Sequence, residues 1–286
     1  MSERGAGEPF PSPSQAFTLA ASALFLVLLA SGSVVGVALG SALGFGGIGY
    51  LAARRVPEPA AQRLGLVPLP RSAIAPVLLL APLVLLVSEG DNWIRAAFAA
   101  PPSEQLGVAS WPAPEAIVLG VLLSPVLEEF FFRSVLLQGC ASALGRWRAL
   151  FYVAALQILL APLLAALDSF SEKPSPALIA SHALSVFTLG AAFGLLRLAS
   201  GSVLPGMLLN GLVAALGVFA GALAELVPIP GFNAPGDATP LGYLAPALLS
   251  VALGVRLLAQ QLALQPPLPP IPPPQPRDDD EPGALF

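Results

Sequence analysis

Apolar residues run along this chain in long blocks, not in the strict alternation of strands. An α-helix needs about 20 apolar residues to cross roughly 30 Å of hydrocarbon. Eight blocks approach that length, at residues 16–32, 34–53, 72–89, 114–137, 148–167, 176–198, 202–224 and 240–264. The pattern predicts an all-α, polytopic membrane bundle of about eight transmembrane helices. The second block reads "GVALGSALGFGGIGY". Small residues of that kind let helix backbones approach closely in lipid.

Polar flanks divide the rest. Residues 1–15 form a polar N-terminal segment, which lacks the basic start of a secretory signal. The first apolar block is therefore read as a retained anchor, and residues 16–264 as one transmembrane domain. Residues 265–286, "QPPLPPIPPPQPRDDDEPGALF", are rich in proline, which removes backbone donors and fixes φ. They are expected to be extended, acidic and disordered.

Composition agrees with this class. Only 10% of the 286 residues are charged and 56% are hydrophobic, against about 25% charged in an ordinary soluble domain. The lipid bilayer is thus the first expected partner. A net charge of −4 argues against nucleic acid. One cysteine, Cys140, allows no internal disulfide.

Charge placement orients the bundle. With both termini cytoplasmic, the inner loops hold Arg54, Arg55, Arg63, Arg71, Arg146, Arg148 and Arg197. The outer loops hold Glu89, Asp91, Asp168, Glu172, Glu225 and Asp237, with only Arg95 and Lys173 as cations. Cationic residues gather on the cytoplasmic side of membrane proteins, and an odd number of spans would scramble the pattern. The expected location is the cell (plasma) membrane.

The stretch "SPVLEEFFFRSVLL", residues 124–137, interrupts the greasy pattern. Each charge at the bilayer centre costs about 2.5–3.5 kcal/mol on insertion scales. Glu129 and Arg133 are four residues apart, so they share a helix face and are placed to pair. Glu128 is rotated about 100° away and has no partner on that face. One carboxylate held by arginine and one left to take a proton suits a general base. A structural ion pair gluing helices together is the other reading, and these residues alone leave both open.

"EEFFFR" resembles the E-E-x-x-F-R signature of the CPBP intramembrane protease family. That family includes CAAX prenyl endopeptidases, lysostaphin-resistance-like proteins and abortive-infection proteins. "SVLPGMLLNGLVAAL", from Ser202, is similar to the family's late helix, and "FTLGAAFGLLRLASGS" to the helix and turn before it. The family-like core covers about residues 114–217. The resemblance implies a membrane-embedded hydrolase in which the first glutamate, here Glu128, activates a water, with Glu129 and Arg133 as its companions. It also implies a membrane-embedded or prenylated peptide as substrate.

Departures sit at the histidine positions. Asn210 stands where the late histidine is expected, Ala214 where an asparagine follows it, and Ala161 or Pro162 where a middle histidine falls. At 1.5 Å per residue, Gln157 lies about 14 Å and Asn210 about 12 Å in from the cytoplasmic side, level with Glu128. The expected site is therefore Glu128, Glu129, Arg133, Gln157 and Asn210. The only histidine, His182, lies near the opposite end of its helix, about 9 Å in. Family members may use a divalent metal, but catalytic zinc wants three ligands drawn from histidine, cysteine and carboxylate. No cofactor, and no zinc, is expected here. An endopeptidase is weighed against a catalytically inactive relative that binds or scaffolds within the membrane. A proton-coupled transporter is a third reading, disfavoured because the paired broken helices of many carriers are missing from the pattern.

Overall fold

A computed structural model describes residues 9–30, 34–98, 114–168 and 175–265. It is an all-α bundle. Among the described residues the only β feature is an isolated bridge between Pro230 and Ala234. The helices are α1 (Pro13–Leu29), α2 (34–53), α3 (Ala60–Leu64), α4 (Arg71–Ala97), α5 (114–144), α6 (146–168), α7 (Pro176–Ser200), α8 (Leu204–Val218), α9 (Ala220–Leu226) and α10 (Leu241–Leu264). Five stretches among the described residues are long and apolar enough to cross a membrane, in α2, α4, α6, α7 and α10. A sixth is added if α8 and α9, bent by 70° at Phe219, count as one span. Helix α1 is apolar but shorter, and α5 carries Glu128, Glu129 and Arg133 in its interior. The tail beyond Gln265 lies outside the described residues.

Local chemistry explains where helices begin and end. Ser12 caps α1 in a reciprocal box: its backbone N–H donates to Gln15 Oε1 at 3.0 Å, and its hydroxyl accepts from Gln15 N at 3.4 Å. Ser175 caps α7 by accepting from Leu178 N at 3.1 Å, with Pro176 at the first helical position. Gly201, at φ 72°, ends the same helix. Helix α5 continues to Leu144, beyond the end expected at residue 137. Its polar Gln138 and Ser142 do not break it, because they bond to the Phe10 and Gln138 carbonyls. Gly145, at φ 80°, does.

Two cores share the bundle. One joins α1, α2, α5 and α6 around Phe45, Phe131 and Phe132, whose ring centroids lie 5.1–5.6 Å apart. The glycine-rich α2 sits tightly on α1: a Cβ on Gly44 would lie 2.5 Å from the Ala23 carbonyl oxygen. The other core joins α4, α7, α8 and α10 around Leu80, Leu196, Leu209 and Leu258.

Polar ties gather several turns at one end of the bundle. Arg197 Nη2 donates to the Arg63 carbonyl at 2.7 Å, and Val203 N donates to Gly65 O at 3.0 Å. Arg146 Nη1 donates to the carbonyls of Leu262 and Gln265 at 3.1 and 3.0 Å. Gln265 Nε2 in turn donates to Ala199 O at 3.0 Å. The turns near residues 65, 145 and 201 and the end of α10 therefore share one end, as even numbers of crossings between them require. These arginines also satisfy carbonyls that helix ends leave unpaired.

Candidate active site

The carboxylate pair sits on a six-residue α-helical piece of α5, Ser124–Glu129, between two π-helical pieces, Ile117–Leu123 and Phe130–Leu136. Such π segments are rare and cluster at functional sites. Pro125 lies in this piece and has no N–H to donate to the preceding turn.

Glu129 is fully buried, and so is Arg133. Arg133 Nη1 lies 3.3 Å from Glu129 Oε1. Its Nη2 donates to Gln157 Oε1 of α6 at 2.7 Å and to the Gly190 carbonyl of α7 at 3.0 Å. The guanidinium also lies 5.7 Å from the Phe132 ring and 5.4 Å from the Phe193 ring, within cation–π range. Arg133 is thus the hub that joins α5, α6 and α7. Asn210 of α8 approaches from the other side, donating from Nδ2 to Glu129 Oε1 at 3.3 Å.

Glu128 is in a different position. It is half-buried, and its Oε1 accepts from the Ser124 hydroxyl at 2.8 Å. Of two adjacent carboxylates, Glu129 is sealed behind Arg133 and Asn210, and Glu128 is the more exposed.

An ion pair and hydrogen bonds join Glu129, Arg133, Gln157 and Asn210, and Glu128, the fifth candidate, borders the same Asn210 and Arg133. Gln157 reaches Arg133, where depth arithmetic had it meeting Glu128. Level along the bundle is set by residue count, but the partner is set by helix face. Three contributors escaped the sequence reading. Ser124 is one, and its signal was a hydroxyl four residues before a buried glutamate. Gly190 and Gly206 are the others, and each leaves room for the network. A Cβ on Gly190 would overlap Gln157 Oε1 and lie 3.2 Å from Arg133 Nη2; on Gly206 it would lie 2.5 Å from Glu129 Oε2.

The residues present do not fit a zinc ion. Among the described residues no three His, Cys, Asp or Glu side chains come together as a ligand group. Glu129 already faces a guanidinium, and Asn210 presents its amide N–H to the site, not its oxygen. His182 lies eight residues before Gly190 on α7, about 12 Å along the axis. Ala161, at an expected histidine position, is fully buried.

Residues 110–216 match the family model for "Rce1-like: Type II CAAX prenyl endopeptidase Rce1-like". No curated protein and no solved structure matches the chain. The matched stretch holds the glutamate pair, Arg133, Gln157, Gly190 and Asn210, so this region of the chain is similar to the Rce1-like, type II CAAX prenyl endopeptidases of the CPBP group.

Proposed function

We propose that this integral membrane protein is an intramembrane endopeptidase of the CAAX-protease type, with Glu128 as the general base. The observation that carries the reading is the asymmetry of the pair: Glu129 is fully buried and faces Arg133, and Glu128 is half-buried. Glu128 takes a proton from a water as the water oxygen attacks the scissile carbonyl carbon. It then returns that proton to the leaving amine nitrogen. The Asn210 amide is a neutral donor beside the site, suited to a carbonyl oxygen that gains negative charge. Gln157 acts at one remove, by holding Arg133 in place. The description of the matched family, a CAAX prenyl endopeptidase, supports a prenylated peptide ending in Cys-aliphatic-aliphatic-X as the substrate class. The cell membrane is the proposed location.

A catalytically inactive membrane-binding relative is the second reading. It is favoured by one set of facts: Ala161 or Pro162, and Asn210, stand where the family's two histidines are expected, so Glu128 has no imidazole from those positions to share proton transfer with. Liposome cleavage of a farnesylated peptide of this type separates the two. Wild type is expected to cut it and Glu128→Gln to lose cutting while inserting and melting normally. Binding of the peptide without cleavage by wild type would overturn the hydrolase reading in favour of the inactive one.

A further inference from the structure

We infer that Ser124 is a positioning residue, whose hydroxyl holds the reactive carboxylate of Glu128 in one rotamer at the site. The inference rests on the hydrolase reading for its consequence in catalysis, and on geometry alone for the contact itself. Within a helix, a serine hydroxyl commonly bonds back to a carbonyl one turn earlier. Here Ser124 Oγ donates forward to Glu128 Oε1 at 2.8 Å. Both residues lie on the single α-helical piece Ser124–Glu129, so their one-turn spacing is kept between the π segments on either side.

The hold matters because Glu128 differs from its neighbour. Glu129 is fixed by a guanidinium one turn along its own helix, itself anchored to α6 and α7, and by an amide from α8. Glu128 is half-buried, and the contact that defines its Oε1 comes from its own helix. A glutamate has three side-chain torsions, and freezing them is costly unless a bond offsets the lost entropy. A general base must stay within hydrogen-bond reach of the water it deprotonates, and loss of about 1 Å in placement can cost 100-fold in rate. One neutral donor on Oε1, beside the Asn210 amide that Glu128 also meets, restricts the rotamers of the carboxylate without cancelling its charge.

The test uses the full-length protein in liposomes, as wild type, Ser124→Ala, Ser124→Thr and Glu128→Gln. Infrared difference spectra identify the Glu128 carboxyl band by its loss in Glu128→Gln. Ser124→Ala is expected to shift that band and Ser124→Thr to restore it, since threonine keeps the hydroxyl. With the farnesylated peptide, Ser124→Ala is expected to lower kcat about 10- to 100-fold, the scale of one hydrogen bond to a charged group, with KM unchanged. Ser124→Thr is expected to recover most of it. An unmoved band in Ser124→Ala overturns the inference whether or not the peptide is cut. Covalent labelling of Ser124 by a fluorophosphonate, with total loss of cleavage in Ser124→Ala, also overturns it, by making Ser124 a nucleophile. Absence of cleavage in wild type with a band that moves and recovers overturns the hydrolase reading alone and leaves Ser124 as the group that orients Glu128.

Discussion

Glu129 and Arg133 face each other across 3.3 Å, one turn apart on the same helix, with side chains 0% and 1% exposed. Two charges withdrawn from water this completely gain only when their remaining valences are filled. Arg133 meets that condition in part, through Gln157, Gly190 and two aromatic rings, and Glu129 through Asn210, while Glu129 Oε2 and Arg133 Nε and Nη1 are buried without a hydrogen-bond partner. Removing one partner leaves the other buried and uncompensated, at about 3–5 kcal/mol. Glu129→Leu and Arg133→Met should each lower the unfolding midpoint in detergent sharply. The double variant should recover much of the loss, because no unpaired charge remains. Additive losses in the double would show that the pair is not the unit of stability.

Room for this network comes from two glycines. A Cβ at Gly190 would strike Gln157, and one at Gly206 would come within 2.5 Å of Glu129 Oε2. Gly190→Ala and Gly206→Ala are therefore expected to destabilise by roughly 1–3 kcal/mol, the usual cost of overpacking. Gly190→Ala should be the worse, since Arg133 Nη2 is also 3.2 Å from that Cβ. At Gly217 a Cβ meets nothing within 4 Å. Gly217→Ala should be neutral or slightly stabilising in the same melting assay. A gain at all three positions would show that the higher helix propensity of alanine outweighs the contacts.

The sequence displayed the helical class and the location of the charged core because both rest on local signals. Long apolar blocks mark membrane helices, and four-residue spacing put Glu129 and Arg133 on one face. What it hid depends on which face of one helix meets which face of another. Gln157 turned to Arg133 and Asn210 to Glu129 for that reason. The bend at Phe219 was hidden too: the block 202–224 is evenly apolar, and no proline or charge marks the 70° break. Helix α4 ran past residue 89 to Ala97 because its late polar residues are satisfied, Arg95 by Asp91 at 2.8 Å.

Far along the chain from the pair, Glu89 anchors a loop. It is 5% exposed and accepts from the Thr239 backbone N–H at 2.7 Å and from Asn92 Nδ2 at 3.0 Å. Ser88 and Asn92 both donate to the Gly231 carbonyl, at 3.2 and 3.0 Å. The segment from 227 to 240 is thereby tied to α4. Glu89→Leu leaves the Thr239 N–H without its acceptor, a loss of about 1–3 kcal/mol. Deuterium exchange should rise across residues 227–240 and stay unchanged in α5. Unchanged exchange in that loop would mean that the Gly231 contacts suffice to hold it.

Asn210 is where the departure from the family can be measured. Its Nδ2 donates to Glu129 Oε1 at 3.3 Å, so the amide now serves as a spacer between the ion pair and α8. An amide donates a hydrogen bond but does not carry a proton from one atom to another near neutral pH. A histidine ring keeps an N–H for Glu129 and adds a second nitrogen that titrates in the working range. Asn210→His is therefore expected to raise kcat on the farnesylated peptide, with general acid–base help commonly contributing about 100-fold or more when well placed. Asn210→Asp adds a third carboxylate beside Glu129, removes the donor, and should depress both activity and melting temperature. If the histidine variant stays folded and cuts no faster than wild type, proton transfer does not limit turnover at this site.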